Sequence, residues 1–231
     1  MHSLSKKACL FAVSLSALAG CVDAIGFLQL SGHFVSFMSG NITQLAVGMV
    51  KGDFNEAVIL MSVLSLFVGG TMMGTWVRLL SMRVFTKAKS PTVTLLGFVT
   101  LLLAGASVAQ EIGWGFIAIA FMTMAMGAEN ALFQRNGDTI VGLTYMTGTL
   151  VKMGQRLALA LVGEEKLAWF PYFLLWAGLL AGGVLGAVLF QRIALHSLWI
   201  ATLGGAGLML VSIFFKTSLT ERAPLFLDER S

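Results

Sequence analysis

Two acidic side chains stand inside long apolar stretches, where an ionised group is costly. Asp23 lies in the apolar run at residues 8–30, and Glu129 lies in the run at residues 112–134. A carboxylate near the centre of a spanning helix costs about 2.5–3.5 kcal/mol on insertion scales, so it is expected to face protein and to hold a partner or a proton. These positions predict proton or ion coupling at Asp23 and Glu129. The alternative for Asp23 is a neutral acid that only hydrogen-bonds a neighbouring helix.

Two glycine motifs, 108 residues apart, indicate a binding site. Residues 37–41 and 145–149 share the order aromatic, methionine, hydroxyl, glycine, polar. Glycine lets the chain turn with positive φ and lets a ligand approach closely, and the flanking polar side chains suit the N-terminal cap of a helix. Each motif therefore predicts a half-helix whose free N–H groups attract an anion or an acceptor oxygen, unless the small residues only allow close helix packing. The predicted substrate-binding residues are Ser39, Gly40, Asn41, Thr147, Gly148 and Thr149.

Lys152 and Arg156 follow the second motif closely. They are four residues apart, so they lie on one face of the helix predicted at residues 139–162. This position favours charge pairing with Glu129 or attraction of an anionic substrate. Long basic side chains also reach from an apolar surface to the aqueous interface, which is an equally open alternative.

The composition places most of the surface in lipid. The chain is 57% hydrophobic and 11% charged with a mean hydropathy of +0.87, whereas ordinary soluble chains carry about 25% charged residues. The 15 basic residues form no aromatic-interleaved stripe, so nucleic-acid binding is not expected. Cys9 and Cys21 predict neither a disulfide framework nor a zinc site. Because the sequence also carries no recognisable catalytic, metal or cofactor motif, we predict no metal, no cofactor and no enzyme activity.

Apolar segments must position these groups. Most are long enough to cross a bilayer, but the second and the sixth are interrupted by the glycine motifs. Residues 18–21 also resemble a lipoprotein cleavage site, yet the apolar run continues to Leu30, so we predict an uncleaved first span. The eight segments are 8–30, 34–50, 57–77, 92–110, 112–134, 139–162, 167–191 and 197–215.

Lysine and arginine counts distinguish two topologies. If all eight segments cross the membrane, nine basic residues lie inside and six lie outside. If segments two and six enter and return, the counts become thirteen and two, and Arg78, Arg83, Lys87 and Lys89 form a basic inner loop. The positive-inside rule therefore predicts an all-α protein with six transmembrane helices, two re-entrant half-helix segments and both termini cytoplasmic.

Similar residues recur in the two halves of the chain. Residues 20–24 resemble residues 127–131 at a spacing of 107, and the glycine pair at 70 and 74 recurs at a spacing of 112. Such pairs of glycines mark close helix packing. Three spans per repeat invert the second repeat relative to the first, an architecture common among transporters. The predicted division is a single membrane domain at 1–231, with repeats at 8–110 and 112–215 and a short cytoplasmic tail at 216–231.

Three runs resemble a known family. GCVDAIGF at residues 20–27, MSGN at 38–41 and MTGT at 146–149 are similar to the YoaK-like family of bacterial polytopic inner-membrane proteins, a domain-of-unknown-function family. The resemblance covers about residues 8–215. Family members usually have threonine before the first glycine, and Ser39 keeps that hydroxyl. The resemblance implies a six-span protein of the bacterial cytoplasmic (inner) membrane with no established substrate.

The inverted repeat, the half-helices and the carboxylates together favour a small-molecule or ion transporter, with possible proton coupling. Its predicted central site lies between the two half-helix N-termini. A channel, which needs no titrating carboxylate, and a non-transporting scaffold or assembly protein, which needs only the packing glycines, stay open. The predicted partners are the lipid bilayer and a small solute, and six spans are compatible with a homodimer.

Overall fold

Helices form almost all of the described chain. The computed structural model describes residues 6–84, 91–135, 138–139, 145–164 and 166–215. A two-residue antiparallel strand pair, Gln134–Arg135 with Asp138–Thr139, is the exception in these ranges. The predicted all-α class is confirmed. The helices are α1 (Lys6–Gln29), α2 (Met38–Lys51), α3 (Phe54–Val84), α4 (Pro91–Glu111), α5 (Gly115–Glu129), α6 (Met146–Leu161), α7 (Phe170–Ile193) and α8 (Ser197–Phe215).

Six of these helices are long and apolar enough to cross a membrane. They are α1, α3, α4, α7, α8 and α5 extended through its following 3-10 turn. The remaining two, α2 and α6, contain 14 and 16 residues. At about 1.5 Å per residue they reach roughly 21 and 24 Å, which is less than a hydrocarbon core of about 30 Å. The predicted count of six spans is therefore confirmed.

The first short helix starts at its glycine motif, as the sequence predicts, whereas α3 is longer than predicted. α2 begins at Met38, after the chain has turned at Ser31 and Gly32, which adopt positive φ. α3 continues for 31 residues, so Arg78 lies inside the helix and is only 7% exposed. The prediction of a basic loop at Arg78, Arg83, Lys87 and Lys89 is therefore wrong for Arg78 and Arg83, which both lie inside α3. Lys87, Lys89 and the predicted tail at 216–231 lie outside the described residues.

Glycines bring α7 into backbone contact with α1. A Cβ atom on Gly182 would overlap the main chain of Ala17, and one on Gly186 would overlap the main chain of Cys21. Only glycine permits this approach, because any side chain would separate the helices. The prediction that these glycines mark helix packing is confirmed.

The same kind of contact joins α3 to α5. A Cβ atom on Gly70 would overlap the main chain of Met124, and one on Gly74 would overlap Ala128. α3 and α7 bury few of their remaining apolar side chains, which are exposed or half-buried, so their outer faces are suited to contact with lipid. α1 and α5 are the more buried helices.

α4 and α8 complete the centre of the bundle. The hydroxyl oxygens of Ser107 and Thr202 lie 3.0 Å apart and connect the two helices. A continuous apolar cluster runs through α1, α4, α5 and α8 and positions the inner faces of α1 and α5. Its completely buried members include Val22, Ile25, Leu103, Met122 and Met126.

Candidate functional site

Asp23 anchors the segment that leads into α2. Its Oδ1 atom accepts hydrogen bonds from the backbone N–H of Val35 at 3.0 Å and of Ser36 at 2.7 Å. The chain can fold back against α1 here because Gly26 leaves room for the side chain of Val35. The carboxylate therefore has partners, and these come from a loop and not from a neighbouring helix.

Asn41 fixes the same segment from the other side. Its side-chain amide donates to the carbonyl of Phe34 at 2.6 Å, and its Oδ1 atom accepts the N–H of Phe34 at 3.0 Å. Asn41 is 0% exposed. Buried backbone N–H and C=O groups need hydrogen-bond partners, and this one side-chain amide supplies both for Phe34. In this structure the side chain of Asn41 faces the loop before its own helix.

His33 connects this loop to α2 and α3. Its Nδ1 atom lies 2.8 Å from Oε1 of Gln44, and its Nε2 atom lies 3.8 Å from Oε1 of Glu56. The amide of Gln44 also donates to the carbonyl of Gly32 at 3.0 Å. Sequence reasoning did not find these partners of His33. The regular spacing of Gln44 from Asn41 on one helix face was the available signal.

The two glycine motifs lie inside the first turns of α2 and α6. The N-caps are Phe37 and Tyr145, with φ/ψ of −86°/73° and −86°/63°, and neither makes a side-chain capping hydrogen bond. The prediction that Ser39, Asn41, Thr147 and Thr149 cap these helices is therefore wrong. In both motifs the aromatic residue is the N-cap and methionine is the first helical residue, so the polar residues lie two and four positions inside the helix.

Close approach, and not positive φ, explains the motif glycines. Gly40 and Gly148 have helical backbones. A Cβ atom on Gly40 would overlap the ring of Phe37, and one on Gly148 would overlap the ring of Tyr145. In both motifs the aromatic ring of the N-cap thus lies over the glycine.

The segment that leads into α6 is less fully described than the one before α2. Thr149 is buried, and its hydroxyl lies 3.5 Å from the carbonyl of Tyr145. Asn130, which corresponds to Asp23 in sequence, donates to the carbonyl of Met126 at 2.9 Å. Residues 140–144, which precede α6, lie outside the described residues. The contacts of the preceding segment can therefore be given for the first motif, and for the second motif only those of residues 145–149 themselves.

Glu129 occupies a different environment from Asp23. It is 0% exposed, and within the described part of the chain neither Oε1 nor Oε2 has a hydrogen-bond partner. Three and four residues back on the helix lie Met126 and Ala125, with Met122 one turn further, and all three are completely buried. This carboxyl group therefore lies in an apolar interior.

Arg78 is a buried cation that sequence reasoning placed in a loop. Its Nη1 atom donates to the carbonyl of Ala131 at 3.0 Å, two residues beyond Glu129. Among the described residues, no salt bridge joins Arg78 to Glu129. The apolar residues Leu79 and Leu80, which follow Arg78, were the signal that the span continues past it.

Arg156 lies near the following helix. It interacts with the hydroxyl of Tyr172 on α7. Within the described ranges, neither Arg156 nor Lys152 forms a salt bridge with Glu129. α2 packs against α3 and α6 packs against α7, whereas α2 and α6 are not among the helix pairs with extensive contact. The structure therefore gathers Asp23 and Asn41 around one loop and leaves the second motif and Glu129 in separate surroundings.

Comparison with known proteins adds a family to this architecture. The family model described as "Protein of unknown function (DUF1275)" matches residues 11–211. A UPF0700 transmembrane protein of Rhizobium meliloti (strain 1021), RA0705, is 36% identical over 203 residues, which cover 88% of this chain and 84% of that protein.

The UPF0700 transmembrane protein YoaK of Bacillus subtilis (strain 168) is 28% identical over 142 residues, which cover 60% of this chain and 62% of that protein. No solved structure matches the chain. The predicted resemblance to YoaK-like proteins is confirmed. With six membrane-spanning helices and a match over most of its length, this multi-pass membrane protein belongs to the DUF1275 family.

Proposed function

We propose that the protein is a transporter that moves a small polar solute or an ion across the bacterial inner membrane. The main observation in support is the pair of short helices α2 and α6, which start at matching motifs with nearly the same N-cap geometry. Helices too short to span, uncapped by side chains and placed after a spanning helix are the elements that form substrate sites in many transporters. Transport and not catalysis is the activity that such a pair supports.

Corresponding helix contacts support an inverted repeat. Ala17 and Met124 are 107 residues apart, and the glycines that face them, Gly182 and Gly70, are 112 residues apart. These are the spacings that relate the two halves in sequence. The contact of α1 with α7 therefore corresponds to the contact of α5 with α3, as expected when two units of opposite orientation pair about one axis.

The proposed topology follows from the repeat. α2 enters from the side where α1 ends and returns to it, and α6 does so on the opposite side, which places both termini in the cytoplasm. In this topology the N-terminus of α6 faces the cytoplasmic side, and Lys152 and Arg156 on the same helix add positive charge there. The proposed substrates are therefore anions and solutes rich in acceptor oxygens. Of the predicted binding residues, Ser39 and Thr147 have exposed side chains and are the proposed contacts.

Side-specific cysteine labelling tests the geometry. In a variant with Cys9 and Cys21 replaced by alanine, a membrane-impermeant maleimide should label Ser39→Cys from the periplasmic side and Thr147→Cys from the cytoplasmic side. Ile42→Cys, on the exposed apolar face of α2, is the matched control and should stay unlabelled. Labelling of both motif cysteines from one side would overturn the inverted arrangement.

Reconstitution into liposomes tests the activity. Solute-evoked currents or isotope uptake should saturate for at least one member of a panel of phosphate, small carboxylates and amino acids, and that solute should slow maleimide labelling of Ser39→Cys. A flux that does not saturate would indicate a channel. The absence of flux in protein that elutes as a single folded species would indicate a scaffold, and either result would overturn the proposal.

A further inference from the structure

We propose that Glu129, and not Asp23, is the group that binds and releases a proton in this protein. The inference deepens the proposed transport function, because it names the coupling ion and the side chain that carries it. It depends on the contrast between two carboxyl groups that both lie in membrane-spanning helices but have different surroundings.

Asp23 has a structural role, because it holds the loop before α2 through hydrogen bonds. Its Oδ1 atom accepts two backbone N–H groups, those of Val35 and Ser36. Hydrogen bonds from backbone N–H groups to a carboxylate are charge-assisted and favour its ionised form. Protonating Asp23 would weaken the contacts that hold the loop before α2. Asp23 is therefore a positioning residue for this loop.

Glu129 has no such partners. Both oxygens are buried, and within the described ranges nothing donates to them. An ionised carboxylate without a hydrogen bond or a counter-ion is penalised by several kcal/mol in an apolar interior, whereas the neutral acid is tolerated. In the described conformation Glu129 is therefore held as the neutral carboxylic acid. Release of its proton needs a conformation in which water reaches the side chain.

The surroundings favour a proton over a metal ion. Sodium, magnesium or calcium ions need several oxygen ligands, and the side chains on the Glu129 face of α5 are Met122, Ala125 and Met126. Within the described ranges, no group of acidic, histidine and cysteine side chains could hold a metal ion. A proton needs only the one carboxyl group.

Few charges can influence Glu129. α3 contributes Arg78, whose guanidinium donates to the carbonyl of Ala131. α4 carries no charged residue before Glu111 at its far end, and α1 carries only Asp23 beyond Lys7. Access of water is therefore the main variable that sets the proton occupancy of Glu129. In the proposed cycle, the carboxylic acid of Glu129 gives one proton to water on one side of the membrane. The carboxylate then takes one proton from water on the other side.

Infrared spectroscopy of the protein in lipid at neutral pH tests the assignment directly. The wild-type spectrum should contain the carbonyl stretch of an un-ionised carboxylic acid, which should be lost in Glu129→Gln and kept in Asp23→Asn. Loss of the band in Asp23→Asn with retention in Glu129→Gln, or its absence from the wild-type protein, would overturn the proposal. Both substitutions keep the size of the side chain, and their elution profiles should match the wild type.

Chemical labelling supplies an independent measurement. A hydrophobic carbodiimide adds to a protonated carboxyl group: the acid proton moves to the reagent nitrogen, the carboxylate attacks the central carbon, and nothing leaves. Peptide mass mapping should place one added reagent on Glu129 and none on Asp23. Modification of Asp23 alone would contradict the assignment. Neither measurement needs a substrate, so an absence of flux in liposomes would refute transport without touching this result.

Discussion

Asp23 and Glu129 show how two acidic residues of similar sequence context acquire opposite properties. Asp23 lies near the end of α1, where the chain folds back and presents the N–H groups of Val35 and Ser36. Glu129 lies on the inner face of α5, where the described neighbours offer no donor. The two positions are also not equivalent in sequence, because at the spacing of 107 Asp23 aligns with Asn130 and Glu129 aligns with Val22.

The largest effects are expected where the two halves are most alike, at the glycine contacts. Gly182→Ala and Gly70→Ala should each destabilise the protein by about 3 kcal/mol, because the new methyl group meets a backbone that cannot move away. Thermal unfolding in detergent measures both. Gly183→Ala and Gly69→Ala are matched controls with room for a Cβ atom and should change stability little. A strong effect in only one half would break the correspondence between the helix pairs.

The next largest effect should follow removal of the Asp23 carboxylate. Asp23→Ala leaves the N–H groups of Val35 and Ser36 without their acceptor, which should cost about 2–3 kcal/mol. Asp23→Asn keeps one acceptor oxygen and should lose less. The rate of proteolysis after α1 reports the loop directly. Asp53→Ala, which removes an exposed contact to the N–H of Glu56, is the control; an equal loss there would contradict the anchoring role.

The two helix starts should respond unequally to truncation. Asn41→Ala removes two hydrogen bonds to the backbone of Phe34, so a loss of about 2 kcal/mol is expected. Thr149→Ala removes one long contact within its own helical turn and should cost about 0.5 kcal/mol. Thermal unfolding of both variants makes the comparison. Equal losses would mean that the loop before α6 is held as firmly as the loop before α2.

The smallest effect, and one of opposite sign, is expected at Glu129. Glu129→Leu replaces an unpartnered buried carboxyl group by an apolar side chain of similar size and should stabilise the protein by about 1 kcal/mol. Glu129→Gln should be close to neutral. The measurement is again thermal unfolding, with Asp23→Ala as the contrasting variant. A marked destabilisation by Glu129→Leu would show that the carboxyl group has a partner.

The spans were predictable from sequence, whereas the loop before α2 was not. Length and hydropathy suffice for six spanning helices, since lipid leaves a helix few alternatives. The fold-back of residues 30–37 depends on backbone N–H groups that donate to Asp23 and on the amide of Asn41, which donates to a backbone carbonyl; hydrophobic periodicity does not reveal such contacts. The N-cap positions were missed for a related reason: Phe37 and Tyr145 are poor caps by type, and they take this place because their rings cover a glycine.

Arg78 illustrates a limit of charge counting. The positive-inside rule uses only the charge of a basic residue, so it assigned Arg78 to a loop although Arg78 lies six positions before the end of α3. Its guanidinium is nonetheless enclosed, because another helix supplies the carbonyl of Ala131. Such a contact joins residues 53 positions apart in sequence and follows only from the packing of α3 on α5.

The length of α3 has a mechanical consequence. Its 31 residues extend about 46 Å at 1.5 Å per residue, roughly half again the hydrocarbon thickness of a bilayer. A helix with this excess tilts more in a thin membrane and stands more upright in a thick one. At Gly70 and Gly74 the main chain of α3 contacts the main chain of α5 directly, so α5 is expected to tilt together with α3. Lipid chain length is therefore a physical control that acts on the helix carrying Glu129 without any change in the protein.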